Sequence, residues 1–308
     1  MYVLDGDCAR STRSARFQQR FPESFLNAGI AEQNMIGMAA GLALTGFRPV
    51  VSGFSSIVVG RGAEQILLSL ALPGLPVTIA GHYAGLSAGL EGAPHHGITD
   101  LAFLRAVPGM SIWVPADNSD VAHAGGAALA AEGPAYVRLS RDPVPPVAGG
   151  PLVEDSLRLW AVPRPRVTLV GCGVAVGVCV RAADELNAQG VPTAVVGVLR
   201  LKPFAQERFL DLVGQSELVV TVEEHTTIGG LGGCVAEVIA AERGPRTLTL
   251  GIADRFTETG PHAQLLERYG ISCEAITTTV RDALGPGDPR ETEGGWLSVP
   301  LSGGARRK

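Results

Sequence analysis

Apolar runs of strand length alternate with stretches of helical periodicity along most of the chain. In the first half the strand-like runs are RPVVSGF, LPVTIAG, SIWVPAD and AYVRLSR, and helical patterns at 62–72, 100–107 and 118–131 separate them. Parallel strands need a crossover connection, which is usually a helix, so this alternation is typical of a parallel sheet covered by helices. The pattern predicts an α/β domain.

The second half of the chain repeats this alternation. Its strand-like runs are RVTLVGCG, VPTAVVGV, ELVVTVEEH and TLTLGIAD. Helical patterns lie near 174–189, 206–213 and 234–243, and two further helices follow. The chain is therefore predicted to contain two α/β domains with mainly parallel sheets.

Proline and glycine mark the boundaries of these domains. Six prolines and a Gly-Gly pair interrupt both patterns between Pro143 and Pro165. We predict a first domain at 1–142, a linker at 143–165 and a second domain at 166–284. The last residues, 285–308, are rich in Gly, Pro and charge, and they are predicted to form a disordered tail.

Composition narrows the class of protein. The 308 residues are 46% hydrophobic and 18% charged, which is globular composition. The formal net charge of -5 gives no general attraction to nucleic acid or an anionic membrane, so neither is expected as a partner. No apolar run has the length of a membrane span and no signal peptide is evident, which favours a cytoplasmic enzyme. The five scattered cysteines lack a Cys-x-x-Cys pair, and we expect reduced thiols.

One carboxylate stands inside the stretch FLNAGIAEQNMIGMAAGLALTGFRPV, which is otherwise almost wholly apolar or small. Glu32 precedes a helical pattern at 35–44, so it would lie in the first turn of a helix. A structural interpretation is that the helix dipole favours an acidic residue there by about 0.3–1 kcal/mol. A functional interpretation is that a carboxyl in apolar surroundings shares a proton with a ligand nitrogen. Position alone favours the first and leaves the second open.

A long polar loop, GHYAGLSAGLEGAPHHGITD, follows one of the predicted strands. The side chains in it that can carry chemistry are His82, Tyr83, Glu91, His95 and His96. Ligands of open α/β sheets bind at the carboxyl ends of strands, so the loop is well placed for a site. It could be a surface loop, a metal site, or an acid–base or substrate-binding site. The last is favoured, because adjacent histidines point in different directions and a metal would need a third ligand of fixed geometry.

Two glycine-rich segments follow strands of the second half. LVGCGVAVG is similar to a dinucleotide-binding fingerprint, but Gly177 lies one residue too far along, and tight packing of strand against helix explains the glycines better. TVEEHTTIGGLGG places Glu223, Glu224 and His225 at a strand end before four glycines. This second segment is either an interface or site rim, or a solvated strand end.

Five segments, taken in order, closely resemble the C-terminal half of transketolases in the form found as a separate small subunit. They are FLNAGIAEQNMIGMAAGLA, GFSSIVVGRGAEQI, GLEGAPHHGITDLAFLRAVPGMSIWVPAD, YVRLSRDPVP and GIADRFTETGPHAQLLERYGIS. The match extends from Leu4 to about Leu284. The resemblance implies a thiamine-diphosphate pyrimidine-binding fold followed by a transketolase C-terminal fold, and thiamine diphosphate as the cofactor.

The resemblance also implies a split enzyme. In the family, a diphosphate-binding domain with a Gly-Asp-Gly and Asn motif for Mg²⁺ precedes the two domains present here, and LDGD near the start does not supply that motif. The ligands of Mg²⁺ are therefore expected on a partner, an N-terminal transketolase subunit, and no metal ligand is expected on this chain. A heterotetramer with sites at subunit interfaces is the expected assembly.

Particular residues fall on the functional positions of the family. Glu32 corresponds to the catalytic proton partner of the aminopyrimidine ring. Phe54 corresponds to an aromatic residue that packs on that ring, and Ile57 stands where the family has a second aromatic, so packing persists while stacking is lost. His95 corresponds to a catalytic histidine that contacts substrate oxygens. Arg141 corresponds to an arginine that binds a sugar phosphate.

The substrate loop departs from the family pattern. Where the family has histidine and aspartate along the sugar hydroxyls, this loop has Tyr83, with His82 beside it, and Glu91. His96 replaces a usual glutamine. The substrate-binding residues that the resemblance implies are His82, Tyr83, Glu91, His95 and Arg141. An ordinary pentose phosphate is in doubt as the substrate.

The sequence thus predicts the C-terminal subunit of a two-component, thiamine-diphosphate-dependent enzyme. It would transfer a two-carbon ketol or related acyl unit from a sugar phosphate, or from a related ketose or 2-oxoacid. The β subunit of a 2-oxoacid dehydrogenase decarboxylase shares the domain pair, but GIAEQN and SRDPVP favour transketolase. A catalytically silent regulatory partner is the other alternative, because the substrate loop is altered.

Overall fold

The computed structural model describes residues 1–154 and 156–285. Its first sheet consists of β1 (Tyr2–Asp5), β2 (Phe25–Asn27), β3 (Pro49–Phe54), β4 (Thr78–His82), β5 (Ser111–Trp113), β6 (Ala135–Arg138) and, from the second half, β11 (Arg200–Lys202). The spatial order is β11-β5-β6-β4-β3-β1-β2. All strands of the first half pair in parallel, and only β11 is antiparallel to its neighbour, β5.

The second sheet consists of β7 (Leu152–Val153), β8 (Leu157–Trp160), β9 (Val167–Gly171), β10 (Thr193–Val198), β12 (Leu218–Thr226) and β13 (Arg246–Ile252). Their order is β13-β12-β9-β10-β8-β7. The first four strands in this order, β13, β12, β9 and β10, pair in parallel. The other two, β8 and β7, are antiparallel to their neighbours. Both sheets are mostly parallel, so the predicted α/β class is confirmed.

Helices cover the two sheets. They are α1 (Ala15–Arg20), α2 (Glu32–Leu44), α3 (Ser55–Gln65), α4 (Asp100–Ala106), α5 (Asn118–Ala130), α6 (Ala175–Ala188), α7 (Gln206–Val213), α8 (Leu231–Glu242), α9 (His262–Arg268) and α10 (Cys273–Leu284). A π-helical segment, Ile66–Ala71, continues α3. The pattern at 62–72 placed the start of α3 too late, because Ser-Ser-Ile-Val-Val favours a strand and tertiary packing overrides that weak preference.

The segment predicted as a linker contributes to the second sheet. Its proline-rich beginning has no helix or strand, but β7 and β8 lie within 143–165, and β8 pairs with β10. The division of the chain into domains stays a prediction, as does the disordered tail, which lies outside the described residues from position 286 onward.

One of the hydrophobic clusters is shared by the two halves. A single cluster of buried side chains runs from Leu4 and Ile79 of the first sheet to Val170, Val219 and Val235 of the second half. Each square ångström of apolar surface removed from water contributes about 25 cal/mol, so this cluster holds the halves together. No helix in the described ranges has the length and apolar character needed to cross a bilayer. All five cysteines are free thiols, and three of them are buried.

Strand β11 is a second connection between the halves. It follows β10 along the chain and pairs with the edge of the other sheet, where the Lys202 Nζ donates to the carbonyl oxygen of Arg105 at 2.7 Å. Three residues with two cations give no recognisable strand pattern, so the sequence did not predict it.

The parallel strands end at one edge of the first sheet. Because β1, β2, β3, β4 and β6 run in the same direction, the segments that follow their carboxyl ends meet there. Those segments include Gly6 and Asp7, the start of α2, the start of α3, the loop from Tyr83 and the loop from Leu139. This edge positions the candidate site.

Candidate functional site

Glu32 opens helix α2 at the edge of the first sheet. Asn27 ends β2, its Oδ1 accepts the Gly29 N–H at 2.9 Å, and Gly29 takes a left-handed φ of 71°, which turns the chain into the helix. No side chain caps the helix at Ala31. The Glu32 side chain is 10% exposed. The predicted first-turn position is therefore where the structure places it.

A cavity of about 220 Å³ lies beside this carboxyl. Phe54, at the end of β3, and Ile57, in the first turn of α3, form part of its wall together with Met35. The lining is mostly apolar, with Glu32 as its buried carboxyl. Such a pocket fits a flat heteroaromatic ring whose nitrogen meets the carboxyl, so these residues fit the pyrimidine ring of the implied cofactor.

The buried carboxyl has a cationic partner that sequence reasoning missed. Arg61 Nη1 lies 3.1 Å from Glu32 Oε2, and the Arg61 side chain is 58% exposed. Arg61 follows Ile57 by one helical turn, so both side chains reach the same cavity. The surroundings of Glu32 are thus less apolar than expected. The spacing of four residues between Ile57 and Arg61 could have indicated that both face the same cavity. The pairing with Glu32 could not be predicted in this way, because Glu32 and Arg61 lie on separate helices.

Most of the substrate-binding residues implied by the resemblance form a second group, the substrate group, which contacts the cavity beside Glu32 through Phe54. Its members are Tyr83, Glu91, His95 and Arg141. The ring centroids of Phe54 and Tyr83 are 4.5 Å apart, and those of Phe54 and His95 are 5.9 Å apart. The Arg141 guanidinium carbon lies 5.0 Å from the Tyr83 ring centroid, and Arg141 Nη1 is 3.5 Å from Glu91 Oε1. The structure therefore brings these five side chains together.

Tyr83 adopts a conformation that is costly for its residue type. Its φ is 58°, in the left-handed region that side chains other than glycine rarely occupy. Such a conformation costs on the order of 1–3 kcal/mol and is retained where the surroundings enforce it, commonly at functional sites. Here the ring is held between Phe54 and Arg141.

His82 lies next to Phe54 across the sheet. The two residues are in register on β4 and β3, and His82 Nε2 is 3.3 Å from Ser52 Oγ. Burial lowers the pKa of His82 to about 4, although the charge of Asp5 acts in the opposite direction. His82 is therefore neutral at pH 7 and can contribute a hydrogen bond but no charge.

The adjacent histidines of the loop point to different neighbours. His95 lies against Phe54, whereas His96 is buried and its Nδ1 is 2.6 Å from Thr257 Oγ1 in the second half. Burial lowers the pKa of His96. No group of three or more potential metal ligands converges anywhere in the two described ranges. His96 thus contacts the second half of the chain rather than the candidate site.

The Glu-Glu-His segment at the end of β12 is buried against the first half, not solvated. Glu223 accepts the N–H groups of Leu231 and Gly232 at 2.7 and 2.8 Å, and burial raises its pKa to about 7. His225 Nε2 lies 3.8 Å from Asp100 Oδ1, and burial lowers the pKa of His225 to about 4. The interface interpretation of this segment is correct.

The first glycine of LVGCGVAVG, Gly171, serves packing. A Cβ placed on Gly171 would lie 3.1 Å from the backbone of Val176 and from Cys179 Sγ. The strand therefore approaches α6 too closely for a side chain at that position, as the packing interpretation requires.

Comparison with known proteins agrees with this architecture. The model of the transketolase pyrimidine binding domain matches residues 1–146, and that of the transketolase C-terminal domain matches residues 160–276. A protein of Methanocaldococcus jannaschii, named as a transketolase C-terminal section, is 36% identical in an alignment of 297 positions that covers 92% of this chain and 90% of that protein. The chain belongs to the transketolase family.

Two further relatives show how the chain relates to longer proteins. A split-gene transketolase, described as an inactive β4 tetramer, has a solved structure with 38% identity and a TM-score of 0.83, over 92% of this chain and 91% of that chain. The 1-deoxy-D-xylulose-5-phosphate synthase of Pelotomaculum thermopropionicum is 36% identical over 91% of this chain, which spans 44% of the synthase. The match thus covers about nine-tenths of the two shorter proteins and less than half of the synthase.

Proposed function

We propose that this chain is the C-terminal subunit of a two-component, thiamine-diphosphate-dependent transketolase-like enzyme that transfers a two-carbon ketol or related acyl unit. The observation that carries the proposal is the cavity in which Glu32 faces Phe54 and Ile57. A slot whose lining is mostly apolar and holds one buried carboxyl suits a ring that must be both packed and protonated.

Glu32 would hold a proton at a nitrogen of the pyrimidine ring. Its Oε2 is engaged by Arg61, while its Oε1 has no hydrogen bond within the described part of the chain, so Oε1 is the atom for the ring nitrogen. Phe54 and Ile57 would exclude water and fix the plane of the ring. Bound thiamine diphosphate would supply the carbon nucleophile through its thiazolium ring.

The second group of residues would bind the substrate. His95 contacts Phe54 and Arg141 contacts Tyr83, so one could bind substrate oxygens and the other a phosphate or similar anion. Glu91 neutralises part of the Arg141 charge, and Tyr83 covers one face of its guanidinium. An anion would therefore compete with Glu91 for Arg141.

The expected partner is an N-terminal subunit that carries the diphosphate-binding domain. Two relatives that this chain matches almost over their full lengths support it, since one is named a C-terminal section and the other a split-gene protein. Within residues 1–154 and 156–285 no cluster of metal ligands is present to hold Mg²⁺ with a diphosphate. We propose a heterotetramer in a cytoplasmic setting, with both subunits contributing to each site.

The purified chain alone is expected to bind thiamine diphosphate weakly and to have no transferase activity. It would contact the pyrimidine ring only, and the charged diphosphate would lack its metal. Titration calorimetry with and without Mg²⁺ measures this, and addition of a partner carrying the Gly-Asp-Gly motif should restore tight binding. Tight, Mg²⁺-dependent binding by the chain alone would contradict the two-component proposal.

Xylulose 5-phosphate is expected to be a poor donor for the assembled enzyme. Glu91 is one methylene longer than aspartate and pairs with Arg141, and the Tyr83 ring is held between two neighbours. We expect the double variant Tyr83→His, Glu91→Asp to raise kcat/KM for this donor by about tenfold or more, as pocket changes of this size do. Donor kinetics of both proteins measure it. Efficient turnover by the unaltered enzyme would show that the departures do not affect the substrate.

A further inference from the structure

His262, the first residue of α9, lies between two carboxylates from different parts of the chain. Its Nε2 is 2.6 Å from Glu224 Oε1 on β12, and its Nδ1 is 3.2 Å from Asp142 Oδ2, in the loop after β6. The His262 side chain is 15% exposed, that of Glu224 3% and that of Asp142 51%. One imidazole thus connects a buried carboxylate with an exposed one.

Both contacts together require a protonated ring. An ionised carboxylate only accepts hydrogen bonds, so each ring nitrogen must carry a hydrogen. Burial by itself would lower the pKa of His262, but the hydrogen bond and charge of Glu224, followed by those of Asp142, outweigh burial and raise it. The stabilisation is therefore complete below the ordinary histidine pKa of about 6.5 and is lost as the pH rises through the raised value in the folded protein.

Each carboxylate is also connected to a segment that carries a residue of the substrate group. Glu224 Oε1 accepts the Leu86 N–H at 2.7 Å, and a Cβ on Gly85 would lie 2.3 Å from the Glu224 carboxyl carbon, so only glycine fits there. This turn directly follows Tyr83. Asp142 directly follows Arg141, whose guanidinium covers the Tyr83 ring.

We propose that His262, hydrogen-bonded at both nitrogens, is a positioning residue that couples the turn after Tyr83 to the loop of Arg141 and so aligns the substrate group. The inference rests on the proposed function for its catalytic consequence, although the coupling itself is a property of the chain. His262 touches no reacting atom and acts through Glu224 and Asp142.

Loss of the proton should affect the two contacts unequally. A neutral ring keeps one hydrogen, and Glu224 retains it, because a buried carboxylate cannot replace a lost hydrogen bond with water, whereas the half-exposed Asp142 can. Nδ1 then presents a lone pair to Asp142, which repels it. Other charged or titratable groups near His262 include His96, in the substrate loop, and Arg181 and Asp184, which line the same cavity of about 630 Å³. The Arg141 loop is therefore the part released.

The coupling can be tested in the full chain by NMR without substrate or partner. The chain has only four tyrosines, so the ring signals of ¹³C-labelled tyrosine can be assigned with Tyr83→Phe. We expect the Tyr83 signal to shift with pH at the midpoint of the His262 ring. Asp142→Asn should lower the His262 midpoint and reduce the Tyr83 shift. His123→Gln, a change at a histidine near Trp113 instead, should leave the Tyr83 shift intact.

Kinetics of the assembled enzyme test the consequence. With xylulose 5-phosphate as the probe, KM should rise by about three- to tenfold as the pH passes the His262 midpoint, which is the value of one lost hydrogen bond, while kcat changes less. His262→Gln should abolish this dependence. A Tyr83 ring signal whose chemical shift does not change as His262 titrates would overturn the coupling. A coupled Tyr83 signal in an assembly that transfers no unit from any ketose phosphate or 2-oxoacid donor in the presence of thiamine diphosphate would instead overturn the proposed function, because xylulose 5-phosphate alone is expected to be a poor donor.

Discussion

Glu32→Gln is expected to slow exchange of the thiazolium proton of the bound cofactor by about 10²- to 10⁴-fold in the assembled enzyme, the usual contribution of a positioned acid or base. Glutamine keeps the shape and a hydrogen-bonding group but removes the carboxyl that shares a proton with the ring. Folding should survive, because the lost ion pair involves Arg61, which is 58% exposed, and such pairs contribute at most about 1 kcal/mol. Quenched NMR measures the exchange, and the melting temperature measures folding.

Two further variants separate the proton from the ion pair. Arg61→Gln removes the pair and keeps the carboxyl, so its loss of exchange rate should be much smaller than that of Glu32→Gln. Glu64→Gln changes an exposed glutamate on α3 and serves as the matched control. Unchanged exchange in Glu32→Gln together with a lowered melting temperature would make Glu32 a structural first-turn residue, and the proposed mechanism would have to be abandoned.

Arg138→Met is expected to lower the free energy of unfolding by about 3–5 kcal/mol, because it leaves a buried carboxylate without its cation. Arg138 Nε donates to Asp100 Oδ2 at 2.9 Å, and the side chains are 4% and 0% exposed. Burial alone would raise the pKa of Asp100, but Arg138 and then His225 outweigh burial and lower it, so the carboxylate is ionised at neutral pH. Arg138 also donates to the carbonyl oxygens of Gly97 and Glu224.

Urea denaturation followed by circular dichroism measures this loss. The double variant Arg138→Met, Asp100→Asn should be less destabilised than Arg138→Met alone, since the uncompensated charge is gone. Arg268→Met breaks an exposed pair with Glu258 and should cost about 1 kcal/mol or less. If Arg138→Met were no more destabilising than Arg268→Met, the buried Arg138–Asp100 pair would not contribute the stability assigned to it.

The sequence by itself determined the regular elements and much of the site. Helix α7 begins and ends where its pattern predicted, and α5 ends within one residue of its predicted boundary. Periodicity reports local burial, and burial of one face is what these elements share. Phe54, Tyr83 and Arg141 were predictable as neighbours for a related reason, because residues that follow parallel strands meet at one edge of the sheet.

Only the tertiary structure decided which charges meet. Arg61 reaches Glu32 across 29 residues of sequence, and His262 reaches Asp142 across 120 and Glu224 across 38. These pairings depend on how helices and loops pack against the sheets, and no local pattern encodes a distance between separate elements. Strand β11 is a similar case, since three residues acquire their role only from the exposed edge of β5 beside them. Local patterns set the elements and their order, and packing set the electrostatics of the site.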